Sequence, residues 1–293
     1  MKRRDFFRGL TAGAAAFAIP QVRAESLTRP LRIGFLTDVH AMVERDAPQR
    51  MQETAARIAE IECDLIIGGG DFVHGGFTST AKAMRPRFDL ARRFLERIGR
   101  PVIPMLGNHD LVGVKPADGA PAEADPVAPF RELFGLTETR RTFEQGGVRF
   151  LVLDSVVPDR ESGTYEGRIG AEQREWISST LASTPKDQPI VLCSHIPFRS
   201  TFLQAKDGPT APLPPALVVT DAAETLALFH EHRLALVLQG HLHINELIRF
   251  NQTTFLIGGA VSGAWWGGSN LGTPAGFGLV ELIPGEPRWT YRA

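Results

Sequence analysis

Five short polar segments each follow an apolar stretch that predicts a β-strand, and this arrangement constrains the fold more than any other feature. The apolar stretches span 33–36, 65–67, 102–106, 190–192 and 234–238. The polar segments that follow them are Asp38-Val39-His40, Gly70-Asp71, Gly107-Asn108-His109-Asp110, Ser194-His195 and Gly240-His241-Leu242-His243. Carboxylate, amide and imidazole groups are ligands for divalent ions such as Zn²⁺, Mn²⁺ and Fe²⁺. The sequence therefore predicts a metal centre assembled from strand ends.

The spacing within these segments strengthens the prediction. Alternate residues of an extended chain share one face, so Asp38 and His40 can hold the same ion, and so can His241 and His243. Each pair alone is weak evidence for a metal site, because such side chains often only form hydrogen bonds within a polar turn. The run Asn108-His109-Asp110 is more specific, since three chemically active side chains share one tight turn.

Alternating strand and helix signals run through the first half of the chain. Strands are predicted at 31–37, 65–68 and 102–106, with apolar helical faces between them. Asp46 is a predicted N-cap of the first helix, with Gln49 as its capping-box partner. This β-α-β-α-β order favours a parallel sheet with right-handed crossovers.

The second half is richer in strands. Gly146-Gly147 predicts a hairpin between two strands, helices are predicted at 171–181 and 222–232, and the tail 246–291 reads as short strands. We expect one α/β domain over residues 25–293. In it, two facing mixed β-sheets are flanked by helices, giving a four-layer αββα sandwich.

The succession D-x-H, G-D, G-N-H-D, H and G-H-x-H resembles the calcineurin-like metallophosphoesterases, and the resemblance extends from Asp38 to His243. It implies a binuclear centre in which Asp71 bridges both ions through its two oxygens. The implied ligands are Asp38, His40 and His243 for the first ion, and Asn108, His195 and His241 for the second. The cofactors would be two divalent or mixed-valence ions, Mn, Fe or Zn.

The same resemblance implies hydrolysis of phosphoester bonds by a hydroxide that bridges the ions. His109 would act as general acid toward the leaving group, and Asp110 would orient its imidazole. The substrate would be a small phosphoester. Two alternatives are a dedicated cyclic-nucleotide or lipid-headgroup phosphodiesterase and a non-catalytic binder of phosphate ligands. A binder should lack a ligand or the acid, and none is missing.

Candidate substrate contacts are Arg199, Trp265 and Trp266, against the alternatives of an exposed arginine and of tryptophans packed under a loop. His74 stands where purple acid phosphatases place a metal-bound tyrosine, so iron-tyrosinate chemistry is not expected. The long loops 114–129 and 206–215 follow the segments that contain His109-Asp110 and His195, and they would border the substrate cleft. The alternative for both loops is a simple surface insertion.

Residues 1–24 resemble a twin-arginine export signal. Arg3-Arg4 precedes a weakly apolar stretch, and Ala24 ends a cleavage site with small residues. We expect the twin-arginine machinery to export the precursor and a soluble periplasmic protein to start at Glu25, without a stable membrane anchor. An ordinary basic arm is the alternative. Replacing Arg3-Arg4 with Lys-Lys should leave active precursor in the cytoplasm, and a normal periplasmic yield of that variant would contradict the twin-arginine interpretation.

The net charge and the two cysteines limit which partners and which covalent links are expected. Without residues 1–24 the chain has 27 basic and 32 acidic residues, a net charge of −5. This balance argues against nucleic acid or an anionic membrane as the main partner. Cys63 and Cys193 are expected to be small buried hydrophobes, with a disulfide between them as the alternative.

Overall fold

The computed structural model describes residues 29–283 and 286–293. The predicted export signal and its cleavage site lie outside these residues. The helices and strands are β1 (Leu31–Leu36), α1 (Ala47–Ala59), β2 (Leu65–Gly68), α2 (Ala81–Ile98), β3 (Val102–Pro104), a 3₁₀ turn (Asn108–Asp110), α3 (Ala128–Phe134), β4 (Arg141–Gln145), β5 (Val148–Val152), β6 (Val156–Asp159), β7 (Thr164–Gly167), α4 (Gly170–Ala182), β8 (Pro189–Ser194), α5 (Phe202–Asp207), α6 (Ala222–Ala227), β9 (Arg233–Gln239), β10 (Glu246–Phe250), β11 (Thr253–Ile257), β12 (Phe277–Leu282) and β13 (Arg288–Arg292). Within the described ranges, no helix combines the length and the apolar character needed to cross a membrane.

The first sheet has the strand order β13-β12-β1-β2-β3. Strands β1, β2 and β3 are parallel, with Ile33 opposite Leu65, and α1 and α2 connect them. The helices bury Met51 and Phe94 in one apolar cluster with Leu36 of β1. The predicted β-α-β-α-β unit is therefore confirmed.

The second sheet has the order β10-β11-β9-β8-β5-β4. Its four inner strands, β11, β9, β8 and β5, are parallel, while β10 and β4 are antiparallel edge strands. The hairpin between β4 and β5 turns at Gly146-Gly147, where φ is 58° and 76°. Glycine adopts these left-handed values without steric cost, which confirms the predicted hairpin.

The two sheets face each other across a continuous apolar layer. Ile33 and Phe35 of the first sheet are buried there with Phe150, Val191 and Leu236 of the second. Burying side chains of this size contributes about 1.5–3 kcal/mol each. Because the helices cover the outer faces, the predicted αββα sandwich is confirmed.

Two predicted helix ends are wrong. Asp46 does precede α1, but its backbone is left-handed, with φ 55°, and its carboxylate makes no capping bond. Pro48 occupies the second helical position and has no N–H to offer a cap. Gln49 instead donates to Glu53, at 2.9 Å. The helix predicted at 222–232 ends at Ala227.

The cysteines do not pair. Both Cys63 and Cys193 are free thiols. Cys193 is buried in the layer between the sheets, and burial raises the pKa of its thiol to about 12. Its role is that of a small hydrophobic side chain.

The loops that follow the central strands are joined to one another by backbone hydrogen bonds. Asp38 N–H donates to the carbonyl of Gly70 at 3.0 Å, and His40 N–H donates to that of Asp71 at 2.8 Å. In the second sheet, Gly240 N–H donates to the carbonyl of His195 at 3.0 Å, and across the sheets His241 N–H donates to Asp38 Oδ2 at 3.0 Å. The polar segments therefore meet at one end of the sandwich, where parallel strands terminate.

Candidate metal centre

Left-handed backbone is concentrated in the predicted ligand segments. Five non-glycine residues of these segments have positive φ: Asp38 (56°), His40 (47°), Asp71 (55°), His241 (73°) and His243 (55°). For a residue with a Cβ this conformation costs about 1–2 kcal/mol. Strain of this kind persists where the surrounding structure imposes it, and it is concentrated at functional sites.

The first group consists of Asp38, His40 and His243, all buried, with ligand atoms within 4.8 Å of one another. Asp38 Oδ1 lies 3.3 Å from His243 Nε2 and 3.8 Å from His40 Nε2, and the two imidazole nitrogens are 2.9 Å apart. Asp38 Oδ1 is buried without a hydrogen-bond partner among the described residues. An unpaired buried carboxylate oxygen facing two imidazoles is suited to a cation.

The second group consists of Asp71, His195 and His241. Asn108 joins it, with Oδ1 3.2 Å from His195 Nε2. Asp71 Oδ2 lies 3.4 Å from His195 Nε2 and also 3.6 Å from His40 Nε2 in the first group. One oxygen therefore faces both groups. Oδ1 accepts the His109 N–H at 2.8 Å, and bridging through both oxygens stays a prediction.

Backbone carbonyls fix the proton positions on three of these imidazoles. The ring nitrogens that face carbonyl oxygens are Nδ1 of His195 (Gly69, 2.7 Å), Nδ1 of His243 (Gly263, 2.6 Å) and Nε2 of His241 (Ala216, 3.0 Å). A carbonyl only accepts hydrogen bonds, so each of these nitrogens carries the proton. In the neutral form of each ring the opposite nitrogen has a lone pair, which is the arrangement of metal-binding histidines.

The charges in the two groups support the same interpretation. Burial would raise the pKa of Asp71, but His195 and His109 outweigh burial and hold that pKa well below its usual range. Burial lowers the pKa of His40 well below its ordinary value and that of His241 to about 4. Burial acts to lower the pKa values of His195 and His243 as well, but Asp71 raises that of His195 to about 9 and Asp38 raises that of His243. Because metals bind ionised carboxylates and neutral imidazoles, an ion would displace a proton from each of these two rings.

The spacing of the donor atoms fits divalent ions. The distances above, 2.9–3.8 Å, resemble those between ligands held about 2.0–2.2 Å from one ion. The donors are oxygen and imidazole nitrogen, a set that suits Zn, Mn and Fe.

Comparison with known proteins identifies the family. The sequence profile of the calcineurin-like phosphoesterases matches residues 31–245. The chain belongs to this family. It is therefore a phosphoric ester hydrolase.

Two relatives of this phosphoesterase carry the name "probable cyclic nucleotide phosphodiesterase". The one from Synechococcus is 26% identical over 274 residues, which cover 87% of this chain and 88% of the relative. The one from Rhodopseudomonas palustris is 28% identical over 181 residues, 59% of each chain.

Solved structures share the fold of the phosphoesterase at low sequence identity. A dimetal phosphatase from Danio rerio has a TM-score of 0.63 and 13% identity, over 90% of this chain and 96% of its own. GAP50, described as the anchor in the inner membrane complex of Plasmodium, has a TM-score of 0.54 and 14% identity, over 90% and 84%. Proteins described as a phosphatase and as a membrane-complex anchor thus share this fold. The fold alone does not identify a function, which must be argued from the residues of the site.

Asp110 does not orient the His109 imidazole, and that prediction is wrong. Its buried carboxylate instead accepts hydrogen bonds from the backbone N–H groups of Asp71 (2.8 Å), Phe72 (2.8 Å), Val73 (3.2 Å) and Gly107 (3.0 Å). Burial raises the pKa of Asp110 to about 8, and these donors act in the opposite direction. In the phosphoesterase, Asp110 holds the loop that carries Asp71.

His109 is positioned by the backbone N–H of Gly75, which donates to its Nδ1 at 2.9 Å. Nδ1 therefore keeps the lone pair, and the proton of the neutral ring is on Nε2. The ring stands edge-on to His40, with centroids 4.7 Å apart. His109 thus lies beside the first group with a proton available.

His74 is a member of the site whose role the sequence did not reveal. Its Nδ1 is 3.4 Å from Nδ1 of His40, and its ring stacks on that of His109 at 4.9 Å. Burial, with His109 next, lowers the pKa of His74 to about 4, so the ring is neutral. A neutral imidazole can accept the His40 proton and fix that ring from behind. Its place three residues after Asp71 was the available signal.

The two tryptophans differ in accessibility. Trp265 is 38% exposed, and its ring centroid is 4.7 Å from that of His243 and 6.1 Å from that of His40. Trp266 is 3% exposed, and its Nε1 donates to the carbonyls of Val39 and His40, at 3.1 Å each. The prediction for Trp266 as a substrate contact is therefore wrong, because its indole is buried against the backbone of Val39 and His40.

Arg199 is also not a contact of this site. Its guanidinium lies over the rings of Phe250 (4.9 Å) and Phe255 (5.4 Å), among residues that belong to neither ligand group. Sequence proximity to His195 misled the prediction, because the chain turns away from the centre after Pro197 to pack against β10 and β11.

Tyr165 is a further aromatic neighbour of the site. The ring of Tyr165 is 6.1 Å from that of His241, and burial raises the pKa of its phenol. Ala216, which follows the 206–215 loop, accepts a hydrogen bond from His241. Lys115, in the 114–129 loop, donates its N–H to the carbonyl of Phe77 at 3.1 Å, and the ring of Phe77 is 5.9 Å from that of Tyr165.

Proposed function

We propose that this phosphoesterase is a two-metal phosphodiesterase whose substrates are cyclic nucleotides. The observation that carries the proposal is the position of Asp71 Oδ2, 3.6 Å from His40 Nε2 and 3.4 Å from His195 Nε2. A single carboxylate oxygen shared by two ligand groups is an arrangement that suits a pair of ions. The proposed ligands are Asp38, His40 and His243 for one ion and Asn108, His195 and His241 for the other.

The charge of the ligand set suits a phosphate substrate. Bound divalent ions would clamp phosphate oxygens and lower the pKa of water. Asp38 and Asp71 contribute two negative charges, and Asn108 contributes none. The ligands therefore only partly neutralise two divalent cations, and the site keeps an attraction for an anionic diester.

His109 supplies the proton for the leaving group. With Gly75 N–H donating to Nδ1, the mobile proton of the neutral ring is on Nε2. Transfer of that proton to the departing ribose oxygen would avoid formation of a free alkoxide, and Nδ1 would take up a proton in place of its Gly75 hydrogen bond so that the ring stays neutral. The stacked His74 ring restricts His109 to this orientation.

The substrate assignment rests on the relatives' names and on Trp265. A nucleobase needs a flat apolar contact beside the phosphate site, and the exposed indole of Trp265 lies next to His243. Stacking of a base on an aromatic side chain contributes about 1–3 kcal/mol. Tyr165, beside His241, is a second aromatic surface.

A substrate panel tests the proposal. The purified protein, reconstituted with Mn²⁺, Zn²⁺ or Fe²⁺, should hydrolyse 3′,5′-cyclic AMP with a higher kcat/KM than AMP or glycerophosphocholine. Phosphate release and chromatography of the products give the rates. Preference for glycerophosphocholine would favour a lipid-headgroup phosphodiesterase instead. Two bound ions without turnover of any ester would indicate a phosphate-ligand binder.

Trp265→Ala should raise KM for cyclic AMP about tenfold, the lower part of the range expected for one lost stacking contact. Trp265→Phe is the matched control, because it keeps a flat ring and should keep most of the affinity. The Trp265 carbonyl accepts from Arg45 through the backbone, so neither change removes that contact. Equal KM values for Trp265→Ala and the unmodified enzyme would remove Trp265 from the substrate site.

A further inference from the structure

Apart from the metal centre, the protein has a pocket of about 590 Å³ beside β9, β10, β11 and α6. None of the proposed metal ligands lines it. Its walls combine two features, a set of basic side chains and the rings of Phe229, Phe250 and Phe255.

The charged side chains of this pocket have one sign. Arg199 and Arg233 line it together with His230 and His232, and no acidic residue does. Burial lowers the pKa of His232, so the positive charge of the pocket comes from the arginines. The whole chain has nearly equal numbers, 32 basic and 33 acidic residues, so this segregation is a local property. Glu231, the nearest acid in sequence, is paired with Lys186. A cavity lined by one sign of charge concentrates ions of the opposite sign.

Another pocket of the same molecule provides the contrast. It has a volume of about 480 Å³, and its three arginines are interspersed with acidic residues. Arg140 pairs there with Glu172 at 2.9 Å, and Arg168 pairs with Glu166 at 2.9 Å. Arg131 pairs with Asp125, so all three arginines of this pocket have an acidic partner, whereas Arg199 has none among the described residues.

The guanidinium of Arg199 has no partner of its own among the described residues. It is half-buried over Phe250 and Phe255, its Nε is fully covered, and it makes neither a hydrogen bond nor an ion pair in that part of the chain. Nδ1 of His232, in the same pocket, is also buried and unpaired. Each buried polar group without a partner costs about 1–3 kcal/mol. The polar groups of this pocket are therefore not fully satisfied by the described residues.

We propose that this pocket binds a small organic anion with an aromatic or other apolar body. The phosphate or carboxylate group would meet Arg199, whose planar guanidinium suits bidentate pairing with such anions. The apolar body would cover Phe250, which is 54% exposed although it is a large hydrophobic residue. The proposal is independent of the metal centre and of the substrate assigned to it.

Calorimetric titration of the metal-loaded protein with phenylphosphonate tests this proposal. The probe has a ring and a dianionic group, and its C–P bond is not an ester. The unmodified protein should show two classes of sites, the metal centre and the pocket. In Arg199→Met, the second class should disappear or weaken at least tenfold, while ester hydrolysis continues and reports a folded enzyme.

Matched variants make the outcome specific. Arg249→Met removes the same charge from β10, but Arg249 pairs with Glu286 outside the pocket, so both classes of sites should remain. Phe250→Ala, at an exposed position, should weaken the second class several-fold for phenylphosphonate and leave inorganic phosphate unaffected. Identical titrations of the unmodified protein and Arg199→Met would overturn the proposal. Inorganic phosphate binding in the pocket as tightly as phenylphosphonate would overturn the apolar part of it.

Discussion

Asp71→Ala should remove bound metal and activity together, with turnover falling by about 10³-fold or more, because several kcal/mol of charge stabilisation are lost with the ions. The shared oxygen Oδ2 faces His40 and His195 at once, so its loss deprives both ligand groups. The change also leaves the N–H of His109 without its acceptor, Oδ1. Elemental analysis should find fewer than two ions per chain, and the rate on a phosphodiester should fall in parallel.

Asp154→Asn is the matched control for this change. Asp154 is another largely buried carboxylate, and burial raises its pKa, but it contacts Thr139 and belongs to neither ligand group. The variant should keep both ions and most of the activity. If Asp71→Ala also kept two ions per chain, Asp71 would not be the shared ligand.

Much of the ligand set was predictable because topology determines where strands end. Parallel neighbours in an α/β fold terminate at the same edge, so polar residues that follow successive apolar strands must come close together. Asp38, Asp71 and His195 therefore meet although they are distant in sequence. The parallel pairing of β1 with β2 and of β8 with β9 produces this convergence.

Side-chain direction within a tight turn was not predictable in the same way. Asp110 follows His109 directly, but the 3₁₀ turn directs its carboxylate to the backbone of Asp71 and Phe72. Trp265 and Trp266 are also adjacent, both with positive φ, yet one ring is exposed and the other is buried. In extended chain neighbouring residues alternate, whereas in these turns local dihedral angles decide which residue faces the site.

Contacts between loops were the other limit of sequence reasoning. The carbonyl of Ala216, 25 residues earlier in the chain, determines which ring nitrogen of His241 carries the proton. The partner behind His40 is His74, where a carboxylate or carbonyl is more common. No spacing rule relates such pairs, because the loops between them have no periodic pattern.

His109→Ala should lower turnover of cyclic AMP by about 10²–10⁴-fold, the usual contribution of a positioned general acid. Both ions should stay bound, because the His109 ring is in neither of the two groups that share Asp71, and its Nδ1 is occupied by the Gly75 N–H. The loss should be much smaller with bis(p-nitrophenyl) phosphate, since nitrophenolate leaves without protonation. Rates on the two substrates and the metal content of the variant measure these effects.

Each result of the His109→Ala measurements has a distinct meaning. A variant stripped of metal would place His109 among the ligands, in the third group it forms with His40 and His74. An equal loss on both substrates, with metal retained, would mean that His109 contacts the phosphate and does not protonate the leaving group. Only a loss that depends on the leaving group, at unchanged metal content, fits a proton delivered from Nε2, because a general acid contributes in proportion to the basicity of the departing oxygen.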